Sequence, residues 1–127
     1  MPTVLVVDDE FGIIDVLETV LTDAGYRVLT ACNGKQGLAR LSEKKPDVVL
    51  LDFMMPILSG GEMLRAMASE PAYQRIPVIM MSALGEEAVV KRCKGYAGFL
   101  HKPFRAAAVL STVAHVLDRG GSEPCST

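Results

Sequence analysis

Three apolar runs, Val4-Leu5-Val6-Val7, Val48-Val49-Leu50-Leu51 and Val78-Ile79-Met80-Met81, each end in an oxygen-bearing side chain: Asp8 with Asp9, then Asp52, then Ser82. A shorter segment, Phe99-Leu100, leads into His101-Lys102-Pro103 and so ends near an ammonium. Brought to one point, Asp8, Asp9 and Asp52 ask for a hard divalent cation. Mg2+ fits, because it prefers octahedral oxygen coordination, keeps several waters and is held by one or two carboxylates plus phosphate oxygens. Without a cation, carboxylates this close raise one another's pKa; a bound cation reverses that penalty and lets a dianionic phosphate approach an acidic site. An aspartate can then attack phosphorus to give an aspartyl-phosphate. Phosphoryl transfer rests on positioning and charge neutralisation, so the Ser82 hydroxyl and the Lys102 ammonium suit the equatorial oxygens.

Converging these groups is the task of the elements that carry them. Short β-branched runs without polar alternation suit strands buried on both faces of a parallel sheet, and ligands of such sheets bind beyond the carboxyl ends of the strands. After the first run, Ile13, Leu17, Val20, Leu21 and Ala24 recur at helical spacing up to Gly25, which ends the helix. Residues 27–31 read as a second strand, and Asn33-Gly34 as the turn into a helix carrying Leu38 and Leu41. A loop from Pro56 to Gly61 precedes a helix with Met63, Leu64 and Met67 inward. Residues 86–93 have helical composition with little amphipathicity, and 104–119 form a last helix with Ala106, Leu110, Val113, Ala114 and Leu117 inward, ended by Gly120-Gly121. Strand and helix thus alternate five times, which implies right-handed crossovers and an α/β fold with helices on both faces of one parallel sheet.

A chain of 127 residues suits one domain, here 1–120, with 121–127 as a disordered tail or linker remnant. Hydrophobic residues make up 50% but aromatics only 6%, so the core is aliphatic, with Met54, Met55, Met63, Met67, Met80 and Met81 adaptable filling. A net charge of -2 leaves no electrostatic footprint for nucleic acid or an anionic membrane. No apolar stretch approaches the roughly 18 residues of a membrane span and no signal peptide precedes the first strand, which implies a cytoplasmic location. Cys32, Cys93 and Cys125 have no metal-ligand or C-x-x-C spacing and read as free thiols; His101 and His115 are isolated. Lys91, Arg92 and Lys94 form either a solvated helix face or a patch for an acidic partner.

Val6-Val7-Asp8-Asp9-Glu10, Leu51-Asp52-Phe53-Met54-Met55-Pro56-Ile57-Leu58-Ser59-Gly60, Met81-Ser82-Ala83 and Phe99-Leu100-His101-Lys102-Pro103-Phe104, in that order, resemble the receiver domains of two-component response regulators over about residues 3–118. The resemblance implies a doubly wound five-stranded sheet of order 2-1-3-4-5 and a phosphoryl group passed to Asp52 from a histidine kinase or histidine phosphotransfer protein. It further implies Mg2+ ligated by Asp9 and Asp52, by Asp8 through water and by the main-chain carbonyl of Met54, with Ser82 and Lys102 on the phosphoryl oxygens. Phe99 falls at the family's switch aromatic, and Lys102-Pro103 where the family often has a cis peptide. The implied output is a changed face on helix four, strand five and helix five that selects a downstream protein. The chain departs from the family in having Ser82 for the commoner threonine, a short interval from Ser82 to Lys102, and Tyr96 where a small residue is common.

Bland readings compete residue by residue. Asp8, Asp9 and Asp52 taken singly could be helix caps, Lys102 a surface charge and Phe99 a core ring. Independent caps have no reason to follow this order along four strand ends, so the joint phosphoacceptor reading prevails, with catalysis limited to the chain's own phosphorylation and dephosphorylation. An aspartate-nucleophile phosphatase would carry D-x-D, whereas Met54 stands two residues after Asp52. A flavin binder would need a Ser, Thr and Gly-rich phosphate loop where Asp8-Asp9-Glu10 would repel the phosphate. Gly120-Gly121-Ser122 serves equally as a terminus or as a linker from a hybrid kinase or multidomain regulator, and the expectation is the stand-alone form.

Overall fold

In the computed structural model the apolar runs become β1 (Thr3–Val7), β3 (Val48–Asp52) and β4 (Val78–Ser82), flanked by β2 (Arg27–Ala31) and β5 (Gly98–His101). Between them lie α1 (Phe11–Asp23), α2 (Gly34–Glu43), α3 (Gly60–Ala68) and α4 (Glu86–Val90), and α5 (Ala106–Ser126) follows β5. The structure describes the side chains of residues 1–119 and the backbone to residue 126, so the expected stop at Gly120-Gly121 and the tail at 121–127 lie outside the fully described residues. All pairings are parallel and the order is β2-β1-β3-β4-β5, as the resemblance implies.

Every residue of β1, β3 and β4 is buried, which explains why all but the end residues Thr3, Asp52 and Ser82 are apolar. Strand alternation divides them between two cores. Leu5, Val7, Val49, Leu51 and Met80 pack with Leu41 of α2, Met63 and Met67 of α3 and Val89 of α4; Val4, Val6, Leu50, Ile79 and Met81 pack with α1 and α5. The register sets the strand ends level. Val7 pairs with Leu51 and Asp52 with Met81, so Asp8, Asp52 and Ser82 emerge within one residue of one another at the centre of the sheet. That centre is also the switch point, because the chain winds from β1 outward to β2 and then back past β1 to β3.

Three helix details correct the sequence expectation. In α1 the inward residues are Ile14, Leu17 and Leu21, with Ile13 and Val20 half-buried and Ala24 exposed. In α5 they are Val109, Val113 and Val116, whereas Ala106 and Ala114 are exposed and Leu110 and Leu117 half-buried. Both helices offer two neighbouring apolar stripes, and packing against the sheet selects the one that turns inward. The third difference is α4, which ends at Val90 rather than reaching residue 93. Its inward side is limited to Val89, with Cys93 beyond it, and the chain then turns at Gly95, whose φ of 93° suits glycine.

Candidate functional site

Asp8 follows β1 directly, its amide donating to the Ala31 carbonyl at 3.1 Å and so prolonging the ladder by one step. Its carboxylate is fully buried and fully engaged: Oδ1 accepts from the Glu10 amide at 2.9 Å and Oδ2 from Lys102 Nζ at 2.8 Å. Asp9 is exposed, and among the described residues its carboxylate has no hydrogen-bond donor. Asp52 ends β3, is 5% exposed, and places Oδ1 3.3 Å from Lys102 Nζ. One oxygen from each of Asp8, Asp9 and Asp52 lies within 4.8 Å of the others.

Two backbone features hold this rim. The Lys102 amide donates to the Ser82 carbonyl at 2.8 Å, joining the ends of β4 and β5, and the Lys102-Pro103 peptide is cis, as the family position suggested. Across the site, α3 begins against the end of β3. A Cβ on Gly60 would overlap the carbonyl oxygen of Asp52, so only glycine allows this approach. Ser59 and Glu62 close a capping box on α3, with Ser59 Oγ accepting from the Glu62 amide and Glu62 Oε1 from the Ser59 amide. Ser82 is buried, and its Oγ accepts from the Leu84 amide at 2.9 Å.

The electrostatics follow from this crowding. Burial, then the Asp8 charge, push the Asp52 carboxyl up to about 7 against the opposing charge and hydrogen bond of Lys102, and Asp9 adds to the rise. Burial works against the Lys102 charge, but the Asp8 hydrogen bond, the charges of Asp52 and Asp8 and the Glu10 hydrogen bond outweigh it and hold the ammonium above its ordinary value. Lys102 also reaches Glu10 Oε1 at 3.2 Å, so it stands among three carboxylates.

The donor set is all oxygen and anionic, which suits a hard cation such as Mg2+. Asp9 and Asp52 have oxygens open to it, whereas both oxygens of Asp8 are already engaged. Met54, an exposed residue, lies in the loop just after Asp52, and its main-chain carbonyl is the atom it would offer a hard cation. The structure thus gathers Asp8, Asp9, Asp52 and Lys102, with Ser82 on the neighbouring strand end. Phe99 is half-buried on β5, its ring 6.4 Å from that of Tyr96 and tilted by 46°. Glu10 as a partner of Lys102 was missed in the sequence, although it completes the acidic run Asp8-Asp9-Glu10. The Ser59 capping box was missed too, and its S-x-x-E signature is plain in Ser59-Gly60-Gly61-Glu62.

Fold and site together define a doubly wound α/β module with an acidic, cation-compatible pocket at its switch point. The response regulator receiver domain family matches residues 4–114, and the chain belongs to that family. It is 34% identical to the phosphate regulon transcriptional regulatory protein PhoB of Rhizobium meliloti, aligning over 100% of this chain and 57% of PhoB. It is 33% identical to the transcriptional regulatory protein AfsQ1 of Streptomyces coelicolor, over 97% of this chain and 54% of AfsQ1, so the chain spans about half the length of these relatives. Among solved structures, the chemotaxis response regulator CheY4 of Vibrio cholerae superposes with a TM-score of 0.87 at 33% identity, covering 91% of this chain and 98% of CheY4. The receiver domain of a histidine kinase from Syntrophus aciditrophicus gives 0.86 at 27% identity, covering 93% of this chain and 91% of that one. The chain is therefore a response regulator receiver domain.

Proposed function

We propose that Asp52 is the phosphoacceptor of this receiver and that it takes its phosphoryl group from a histidine kinase or a histidine phosphotransfer protein. The observation that carries the reading is the convergence of Asp8, Asp9 and Asp52 within 4.8 Å, with Lys102 bridging Asp8 and Asp52. Mg2+ would be held by Asp9 and Asp52, by Asp8 through water and by the Met54 carbonyl; when bound it neutralises the carboxylates and the incoming phosphate. Asp52 acts as nucleophile in its ionised form. One carboxylate oxygen forms the new O–P bond as the donor's N–P bond breaks, and the imidazole leaves with the electron pair. Lys102, held 2.8 Å from Asp8 and 3.3 Å from Asp52, needs only to swing between neighbours to meet a phosphoryl oxygen. Ser82, whose Oγ accepts from the Leu84 amide, donates its hydroxyl hydrogen to another such oxygen.

The only chemistry this asks of the chain is turnover of its own aspartyl-phosphate, so it signals rather than processing a substrate. Output runs through the face of α4, β5 and α5, with Phe99 as the moving ring. Among the described residues no helix is long and apolar enough to cross a membrane, and a cytoplasmic location fits such a phosphorelay. Acetyl phosphate with Mg2+ tests the assignment by intact-mass spectrometry. One phosphoryl group is expected, lost in Asp52→Asn and in excess chelator; modification persisting in either condition would sink the assignment.

A further inference from the structure

Beside α3 lies an open trough whose side chains phosphoacceptor chemistry leaves unused. One part, about 470 Å³, is lined by Phe53, Met54, Met55 and Pro56 with Arg65 and Arg92. A second part, about 330 Å³, shares Gly61, Arg65 and Arg92 with the first and adds Lys91 and Lys94. The trough owes its form to the early end of α4 at Val90. Beyond it, residues 91–94 run along α3 with Cys93 buried and Lys91, Arg92 and Lys94 exposed. Gly61 keeps the floor clear: a Cβ there would lie 3.7 Å from Cys93 Cβ and 3.9 Å from a Phe53 ring carbon.

Four of the chain's 13 lysines and arginines gather here, on a molecule of net charge -2. Among the described residues, none of Arg65, Lys91, Arg92 and Lys94 forms an ion pair. The neighbouring acid, Glu62, is committed to the Ser59 amide at 2.8 Å. A cluster of unpaired cations of this kind attracts carboxylates, which arginine binds in bidentate fashion, and the methionine-lined end adapts to apolar side chains of varied shape. The apolar end and the chain's net negative charge argue against a polyanion such as nucleic acid.

We propose that this trough is a second docking surface, adjoining the acidic rim at Phe53 and Met54, and that it takes a short acidic segment of a partner protein: an apolar residue seats against Phe53, Met54, Met55 and Pro56 while flanking carboxylates meet Arg65, Lys91, Arg92 and Lys94. At about 1.5 Å per residue, α3 offers a track of roughly 13 Å, enough for about four extended residues. Such a segment docks whether or not Asp52 is phosphorylated, so its failure is distinguishable from failure of the phosphoacceptor reading.

The test is fluorescence anisotropy on the whole chain with a labelled peptide in which Asp and Glu flank two leucines. Saturable binding is expected, weakened by salt, and reduced at least about tenfold by the double variant Arg65→Glu/Arg92→Glu and by replacing the peptide leucines with serine. Gly61→Leu, which fills the floor, should weaken it as well, and thermal melts establish that the variants fold. Acetyl phosphate should label Arg65→Glu/Arg92→Glu as it labels the parent. The inference is overturned by absence of saturable binding, by equal binding of the serine peptide, by equal binding to the charge-reversed variant, or by lost labelling in that variant. Equally effective displacement by a single-stranded oligonucleotide would overturn it, as would a dimer that the double variant dissolves, since the occupant would then be a second copy of this chain.

Discussion

With its carboxyl pushed up to about 7 by burial and by the Asp8 charge, Asp52 keeps a proton in the folded chain where the unfolded chain, at 3.8, has lost it. Stability from this group is complete below 3.8 and is lost as pH rises through 7. At roughly 1.4 kcal/mol per pH unit the full excursion is about 4 kcal/mol, an upper bound for the metal-free protein. Urea unfolding without Mg2+ should therefore show greater stability at pH 5 than at pH 8. Asp52→Asn should flatten that slope, raise the stability at pH 8 by about 2 kcal/mol and weaken Mg2+ binding in calorimetry; a variant that binds the ion as tightly as the parent would place the metal elsewhere. Lys102, raised above 10.5, works in a separate window at high pH and does not confound this measurement. Its own test is different. Lys102→Met leaves Asp8 buried beside Asp52 without the nearby cation, and a loss of about 3 kcal/mol is expected. Lys102→Arg should fold yet lose phosphorylation-dependent partner binding, because a planar guanidinium on a longer stem does not place a point charge on the phosphoryl oxygen. Binding unchanged in that variant would remove Lys102 from the role.

At the scale of elements, the start of α3 links stability to the site. Ser59→Ala removes one side of the capping box and should cost about 1 kcal/mol in urea unfolding. Gly60→Ala should cost on the order of 3 kcal/mol, because its Cβ meets the Asp52 carbonyl oxygen and backbone has little freedom to move away. A cost no greater than that of Ser59→Ala would mean the contact relaxes cheaply. Elements differ in how far the sequence reveals them. β1, β3 and β4 are legible because strands buried on both faces keep polar residues to their ends, and the ends Asp52 and Ser82 therefore mark the site directly. Helix existence is legible and helix phase less so: in α5 alanines flank the valines at similar spacing, and composition alone does not say that Val109, Val113 and Val116 face the sheet rather than Ala106 and Ala114. α4 is least legible. Glu86-Glu87-Ala88-Val89-Val90 has few residues to bury, and its end depends on Gly95 and on tertiary contacts made by Val89 and Cys93. The Tyr96 hydroxyl donates to Glu86 at 3.0 Å across ten residues of sequence, a link no local pattern announces.

Over the whole molecule, the phosphorylation rim and the α4-β5-α5 face are joined by a short physical chain. Ser82 ends β4, its carbonyl holds the Lys102 amide, and Phe99 on β5 packs half-buried against Tyr96, which in turn holds Glu86 at the start of α4. A phosphoryl group on Asp52 that draws the Ser82 hydroxyl away from the Leu84 amide vacates space beside β5, and Phe99 can fill it by rotating inward. Tyr96 then loses its ring neighbour. Burial, helped by the Glu86 hydrogen bond and charge, pushes its phenol up to about 12, so the hydroxyl stays a donor at any physiological pH and the link to Glu86 breaks by movement rather than by titration. One phosphoryl group biases such an arrangement only if the two states lie within a few kcal/mol, so the unmodified protein should already sample the inward state as a minority. Amide NMR with and without a beryllofluoride mimic should show shifts spreading from Ser82 to about Val113, reduced in Ser82→Ala. In Tyr96→Phe, which frees Glu86, the unmodified spectrum should move part of the way toward the activated one. Shifts confined to Asp8, Asp9 and Asp52, with Phe99 unmoved, would show that this chain accepts phosphate without transmitting it along β5.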